Sequence, residues 1–221
     1  MVSLDDIKRE ALELLPAVDD GKELDEKEIA LISLAVHASP AVLDMEGART
    51  FASKALGAGA SSEEIQETLV LISGLGVHTL MEGSRMLTDL LQERGSDILN
   101  IPLDGAREKL WSNYVGDDPF WDVMEKEVPG FLEALVRLSP EGFAAFFEYC
   151  SVPWKTAALR ARTKELISLA VDSSPAHRFV PGARLHIMNA IKLGVGRGAI
   201  LQTLEIAANA PLHEGVQRHV Q

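Results

Sequence analysis

The pattern of apolar and polar positions predicts helices along the chain. Within 47–57, five apolar residues recur at intervals that place them on one face of a helix, namely Ala48, Phe51, Ala52, Ala55 and Leu56. The stretches 28–38 and 164–173 are apolar on every side, which is typical of buried helices. No run alternates between apolar and polar residues as a half-buried strand does, and no Asn-Gly turn is present. The pattern therefore predicts an all-α fold.

Short motifs predict where these helices begin and end. Ser-Pro at 39–40 and at 174–175 ends the apolar helices, because the residue before proline is disfavoured in the α conformation. Gly59 ends the following helix. Ser61 and Glu64 then form the pattern of a capping box, which predicts a third helix from that point.

The same helical unit occurs twice. An offset of 135 residues aligns 31–78 with 166–213 without a gap, and 18 of the 48 positions are identical. The identities include Leu-Ile-Ser-Leu-Ala-Val, Ser-Pro-Ala and Gly-Ala-Arg. A gapless match of this length indicates an internal duplication, which predicts two helical units related by a pseudo-twofold axis. We call the units copy 1 (28–78) and copy 2 (164–213).

The repeats suggest a division of the chain into a first repeat (1–83), connecting helices (84–155) and a second repeat (156–221), expected to form one compact unit. Ten of the 12 aromatic residues lie in 111–154. Two interpretations of this aromatic cluster stay open: a second core packed against copy 2, or an apolar wall or lid for a pocket. Ser139 followed by Pro140 predicts a helix start within it.

Composition and charge narrow the classes of partner. The chain has 221 residues, 47% of them hydrophobic, which is enough for a core without disulfides. Its formal net charge of −12 opposes binding to nucleic acid or to anionic membranes. No apolar run reaches the roughly 18 residues of a membrane span, and the start lacks the pattern of a secretory signal. We therefore expect a cytoplasmic protein that binds a small molecule or another protein.

Copy 2 resembles a known family. The resemblance lies in the run from Leu185 to Gly194, with His186 and Ala190 at four-residue intervals, and in the apolar helix before it. Both are similar to the carboxymuconolactone decarboxylase family. The superfamily of that family also holds alkylhydroperoxidase D. The resemblance covers both copies, about half of the chain. It implies an all-α fold of two alkylhydroperoxidase-D-like repeats and assembly into dimers or trimers.

The peroxidase branch of that superfamily carries Cys-x-x-Cys just before the helix histidine. The corresponding positions hold no cysteine, whether counted directly or shifted by two: Phe179 and Gly182, or His177 and Val180. The single cysteine, Cys150, lies outside both copies, and thiol–disulfide chemistry needs two thiols. We expect Cys150 to act as a small buried apolar residue, so hydroperoxide reduction is the least favoured activity.

The decarboxylase branch often has Glu-Ile-x-Glu at the start of its third helix. Copy 1 keeps this motif at 64–67, whereas copy 2 has Ala199 and Gln202 at its ends. The simplest interpretation of Glu63, Glu64 and Glu67 is their placement near the positive end of a helix dipole.

His186 is the leading candidate for chemistry. It occupies the position that is Phe51 in copy 1, inside an apolar stripe, and it matches the histidine of the family. A buried imidazole needs a hydrogen-bond partner, and burial changes its pKa. Two interpretations stay open: a structural histidine bonded to the backbone, or a general acid/base. Phe51 indicates that the position accepts a large apolar ring, so His186→Phe is expected to keep the fold.

Other polar residues of copy 2 complete the candidate site. His177 replaces Val42 of copy 1, and His213 is a third histidine, which gives three candidate catalytic residues with His186. Arg184 and Glu205 are candidate substrate-binding residues. Arg184 either holds a substrate carboxylate or has a structural role.

The histidine spacings match no zinc signature, and no nucleotide-binding loop or serine-hydrolase elbow is present. We expect no metal and no cofactor. The resemblance implies a cofactor-independent lyase or isomerase that acts on a small carboxylated or lactone substrate by proton transfer from histidine, in a homo-oligomer. The alternative is a non-catalytic protein that binds a small molecule or assembles on the same scaffold.

Overall fold

The computed structural model describes residues 2–216, and this part of the chain is helical and contains no strand, which confirms the predicted all-α class. In chain order the helices are α1 (Leu4–Leu14), α2 (Glu26–Ala38), α3 (Met45–Gly57), α4 (Ser62–Ser73), α5 (His78–Glu93), α6 (Gly105–Tyr114), α7 (Pro119–Glu127), α8 (Phe131–Leu138), α9 (Pro140–Cys150), α10 (Val152–Lys155), α11 (Ala161–Asp172), α12 (Val180–Lys192) and α13 (Arg197–Ala208), with a 3-10 turn at Gly74–Val77.

The chain folds into two compact units. Of the described residues, 2–75 and 153–216 form unit 1, and 76–152 form unit 2. Unit 1 therefore contains α1–α4 and α11–α13, the helices of the two copies, whereas most of the aromatic-rich segment belongs to unit 2.

The two apolar helices lie at the centre of unit 1. Helices α2 and α11 pack against each other, and α4 and α13 each contact both of them. Helix α3 packs on α2, and α12 packs on α11 and α1. The side chains of Leu31, Ile32, Leu166 and Ile167 are at most 1% exposed. Their burial confirms the predicted core, which brings residues of α11, α12 and α4 close together.

The local structure repeats at the sequence offset. Helix α3 (45–57) and α12 (180–192) have bounds that differ by 135 at both ends, as do α4 (62–73) and α13 (197–208). Leu43 and Arg178, also 135 apart, have positive φ angles of 48° and 49°. A duplication accounts for this agreement, and the pseudo-twofold axis stays a prediction.

The predicted helix starts at Ser61 and Ser139 are confirmed. The Ser61 hydroxyl accepts a hydrogen bond from the Glu64 N–H at 3.2 Å, and the Glu64 carboxylate accepts from the Ser61 N–H at 2.8 Å. Ser139 Oγ accepts from the Gly142 N–H at 3.1 Å, with Pro140 in the first turn. Both helices therefore begin where side-chain oxygens satisfy N–H groups of the first turn.

Aromatic rings form the core of unit 2. Phe143 and Phe147 lie 4.8 Å apart between ring centroids, Tyr114 stacks on Phe147 at 5.0 Å, and Trp121 meets Phe147 edge-on at 4.9 Å. Phe131 and Phe143 are fully buried. The aromatic-rich segment thus supplies a core of its own, with α8 packed on α5 and α9.

Over residues 2–216, no helix is both long enough and apolar enough to cross a membrane.

Candidate active site

His186 forms a close pair with a buried carboxylate. His186 lies on α12 and Glu165 on α11, and 2.7 Å separates His186 Nδ1 from Glu165 Oε2. The amide of Asn189, one turn further along α12, donates to the other oxygen of Glu165 at 3.4 Å. A carboxylate on Nδ1 fixes the tautomer and ring orientation of a histidine and leaves Nε2 as the acid/base atom. His186 is therefore bonded through Nδ1 to a carboxylate rather than to the backbone.

Asp172, at the C-terminal end of α11, is a second carboxylate beside His186. Its side chain is 2% exposed, and Oδ2 lies 3.8 Å from His186 Nε2. Its Oδ1 lies 3.9 Å from His177 Nε2. Asp172 is therefore within electrostatic range of two of the three predicted catalytic histidines.

A glycine on α12 makes this approach possible. A Cβ atom at Gly182 would lie 2.0 Å from Asp172 Oδ2, which no side chain tolerates. This contact supplies a physical reason for the glycine of the Gly-Ala-Arg motif in copy 2.

Burial and charge set the protonation of the cluster. Burial raises the pKa of Asp172 to about 7, although the charge of His186 opposes the shift. Burial alone lowers the pKa of His186, but its hydrogen bond to Glu165 and the negative charges of Glu165 and Asp172 outweigh that effect and raise it. Burial lowers the pKa of His177. With a pKa of about 7, Asp172 is the group of this cluster that titrates close to neutral pH.

The structure distributes the other predicted residues over three places. Arg184 pairs with Glu10 of α1 at 2.7 Å between Nη1 and Oε2. His213 follows α13 outside any helix and is exposed. Glu205 and His37 line the same cavity, and neither Glu165 nor His186 is among its lining residues.

Lys164, the residue before Glu165, forms a buried ion pair with Glu67 of α4. Lys164 Nζ lies 2.6 Å from Glu67 Oε1, and both side chains are at most 5% exposed. Lys164 also donates to the carbonyls of Pro153 and Thr156, the latter at 3.0 Å. The N–H of Leu159 donates to Glu67 at 3.3 Å. The interpretation of Glu67 as a first-turn residue near a helix dipole is therefore wrong: its carboxylate is buried and balances Lys164.

The expectation that α11 is apolar on every side is also wrong, because three charged residues of this helix are buried: Lys164, Glu165 and Asp172. None of the three is among the site residues predicted from the sequence. The signal was available in the comparison of the copies, since the positions 135 residues earlier hold Ile29, Ala30 and His37. A charge that appears in only one copy of a central helix is costly to bury and points to a site.

Cys150 ends α9 in unit 2. Burial raises the pKa of its thiol to about 11, so the thiol is protonated at neutral pH. A protonated thiol is a poor nucleophile. Cys150 is half-buried, and its role as a buried apolar residue stays a prediction.

No protein-family model and no curated protein sequence matches the chain. Among solved structures, the chain is similar to a protein from Burkholderia xenovorans LB400 described as a gamma-carboxymuconolactone decarboxylase subunit. The two share 35% sequence identity with a TM-score of 0.69, over 83% of this chain and 71% of the other. This similarity and the helical architecture confirm the resemblance found in the sequence: the chain belongs to the carboxymuconolactone decarboxylase family, within the superfamily that also holds alkylhydroperoxidase D.

Proposed function

We propose that the chain is a cofactor-independent lyase or isomerase that uses the Glu165–His186 pair to transfer a proton to or from a small carboxylated or lactone substrate. The observation that carries this proposal is the 2.7 Å contact between Glu165 Oε2 and His186 Nδ1. Glu165 accepts the Nδ1 proton and stabilises the imidazolium form, while Nε2 reaches the substrate. The same division of roles occurs wherever a buried carboxylate orients a catalytic histidine.

For a decarboxylation, the bond between the substrate carbon and its carboxylate breaks and carbon dioxide leaves. The electron pair stays on the substrate and delocalises into a neighbouring carbonyl group. His186 Nε2 then delivers its proton to the carbon, so a C–H bond forms and the imidazole is left neutral. His186 regains a proton from Asp172, whose raised pKa and position between His186 and His177 suit this role, and Asp172 takes up the replacing proton from solvent.

Arg184 is the proposed carboxylate-binding residue. In this role a substrate carboxylate must displace Glu10, with which Arg184 is paired. The Arg184 side chain is 31% exposed and its partner Glu10 is 34% exposed, so the pair is accessible to solvent. A surface ion pair contributes at most about 1 kcal/mol, so a substrate carboxylate is able to compete with Glu10. His213, being exposed, is proposed only as a residue at the periphery of the site.

We also propose, from the family, that the protein is a homo-oligomer, and from its composition that it works in the cytoplasm. Light scattering of the purified chain tests the first point. A mass equal to one chain of 24.0 kDa would contradict it.

A ligand screen tests the proposed function. The melting temperature of the protein is compared with and without small carboxylates and lactones, including gamma-carboxymuconolactone, for the parent, for His186→Gln and for His37→Gln as a control. His37 is a second partly buried imidazole held by a carboxylate, and it lies in copy 1. We expect a ligand that stabilises the parent and His37→Gln but stabilises His186→Gln less. A ligand-induced shift unchanged in His186→Gln would exclude His186 from the site.

A further inference from the structure

The cavity that Glu205 lines lies in unit 1, and neither Glu165 nor His186 is among its lining residues. It has a volume of about 410 Å³ and opens between α2, α3 and α13. Its wall is formed by apolar and polar side chains: Ile29, Ser33, His37, Phe51, Gln202, Glu205, Ile206 and Asn209. A mainly apolar concavity with a few convergent polar groups is the usual form of a small-molecule site.

His37 is held in place on this wall. Its Nδ1 lies 2.6 Å from Asp44 Oδ2, and the Gly47 N–H donates to the other oxygen of Asp44 at 2.9 Å. The Gly47 N–H, followed by His37, lowers the pKa of Asp44, so this carboxyl is ionised at neutral pH. A Cβ at Gly47 would lie 2.2 Å from His37 Nδ1, so glycine is required for the contact. The Nε2 atom takes no part in this hydrogen bond and is the ring atom that a ligand in the cavity would meet.

The remaining polar groups favour a ligand that donates hydrogen bonds. The Asn209 amide nitrogen donates to the backbone carbonyl of Glu205 at 2.9 Å, so its side-chain oxygen is the atom left to accept from a ligand. Gln202 accepts from the Leu24 N–H at 2.9 Å and keeps its amide nitrogen as a donor. Glu205 supplies the one carboxylate among the lining residues. Acceptors and negative charge therefore predominate.

The apolar part of the wall comprises Phe51, Ile29 and Ile206. The His37 and Phe51 ring centroids lie 4.8 Å apart. The Lys54 ammonium already lies over the Phe51 ring, 4.8 Å from its centroid, although Lys54 is not a lining residue. The face of an aromatic ring interacts favourably with a cation at this distance.

The positions equivalent to Ile29 and Gln202 at the 135-residue offset are charged, which distinguishes them from this cavity. The positions 135 residues from Ile29 and Gln202 are Lys164 and Glu67, which bridge α11 and α4 through their buried ion pair. Ile29 has no charge with which to form such a bridge, and the oxygen of Gln202 is directed to the Leu24 N–H. The groove between α2 and α13 thus lacks the polar bridge that joins the equivalent helices, α11 and α4.

We infer that this cavity binds a small organic ammonium ion with an apolar body. The ammonium group pairs with Glu205 and donates to Asn209 Oδ1, and the apolar body contacts Phe51, Ile29 and Ile206. The site differs from the proposed catalytic site both in position and in the sign of the charge it takes, since that site is proposed for a carboxylate or a lactone.

Titration with matched probes tests the inference. The probe is 2-phenylethylammonium, with 3-phenylpropionate and 2-phenylethanol as controls of similar shape, and binding is followed by the amide and His37 ring signals in NMR spectra. We expect the ammonium ion to bind at least about fivefold more tightly than the carboxylate, the ratio that one exposed ion pair supplies. Shifts centred on 29–37 and 202–209 are expected.

Variants locate the charge that selects the ligand. Glu205→Gln is expected to weaken binding of the ammonium ion about fivefold and to leave that of the alcohol unchanged. Glu63→Gln, an exposed carboxylate on α4 outside the cavity, and His186→Gln are expected to leave both unchanged. Equal binding of the three probes, binding unaffected by Glu205→Gln, or shifts outside the cavity would overturn the inference. None of these results depends on catalysis at His186.

Discussion

Glu165 Oε2 lies 2.7 Å from His186 Nδ1, across the contact between the two helices α11 and α12. Glu165 is 5% exposed, so its carboxylate depends on groups of the protein for hydrogen bonds. In copy 1 the equivalent positions are Ala30 and Phe51, an uncharged pair. Copy 1 therefore has an uncharged pair at the positions where copy 2 has a carboxylate and an imidazole.

This comparison predicts the stability of two variants. His186→Phe is expected to keep the fold but to lose stability, because the substitution leaves the carboxylates of Glu165 and Asp172 without the imidazole. We expect a loss of about 1–3 kcal/mol in the free energy of unfolding.

The double variant Glu165→Ala with His186→Phe reproduces the copy 1 pair and should recover part of that loss. Denaturant unfolding of the parent, both single variants and the double variant measures the coupling between the two residues. Additive effects of the two substitutions would mean that the contact contributes nothing to stability.

The pKa of Asp172 predicts how stability varies with pH. Its value in the folded protein, about 7, stands above its ordinary value of 3.8. Between these pH values the folded state holds a proton that the unfolded state has released, so the free energy of unfolding falls as pH rises, by at most about 1.4 kcal/mol per pH unit. The raised pKa of His186 acts in the same direction, and its contribution is lost as pH rises through the folded value.

Asp172→Asn removes the first of these contributions. Unfolding curves measured from pH 4 to pH 8 should be flatter for this variant than for the parent. An identical pH profile in the two proteins would show that Asp172 ionises normally.

The buried pair of Lys164 and Glu67 predicts that substitutions at these two residues have non-additive effects on the free energy of unfolding. Glu67→Gln leaves the ammonium of Lys164 buried without its counter-charge, which typically costs about 3–5 kcal/mol. Lys164→Ile combined with Glu67→Gln reproduces the equivalent uncharged pair, Ile29 of copy 1 and Gln202 of copy 2, and should recover most of this loss. Chemical denaturation measures both. If the double variant is as unstable as the sum of the single variants, the ion pair is not what balances the two charges.

The raised pKa of Cys150 predicts that the thiol of this residue is unreactive at neutral pH. With a pKa of about 11, its thiol should react with iodoacetamide at pH 7.5 at least about 100-fold more slowly than an ordinary exposed cysteine. Cys150→Ser should fold, and neither protein should reduce peroxides with added thiols. Peroxide reduction that disappears in Cys150→Ser would assign the protein to the peroxidase branch after all.

The sequence predicted the helices well because their signals are local. Ser61 and Glu64 satisfy each other within one turn, and Ser-Pro ends a helix through steric contact between neighbours. The position of His186 was also predictable, because a polar residue inside an apolar stripe departs from the periodic pattern.

The partners of His186 were missed because they are defined by contacts between helices. Glu165 lies 21 positions before His186, and Glu67 lies 97 positions before Lys164. Periodicity along one helix does not report which charges on another helix will face it. In the same way, the pairing of Arg184 with Glu10 of α1 and the place of Glu205 beside α2 depend on helices that are distant in the sequence.

The measurement that tests the proposed mechanism most directly is release of carbon dioxide from gamma-carboxymuconolactone by the parent, His186→Gln, Glu165→Gln and His37→Gln, each first shown to be folded. We predict that the parent and His37→Gln release carbon dioxide at similar rates. His186→Gln should be slower by about 100-fold or more, with Glu165→Gln between them. Equal rates in the parent and in folded His186→Gln would contradict the assignment of His186 as the acid/base.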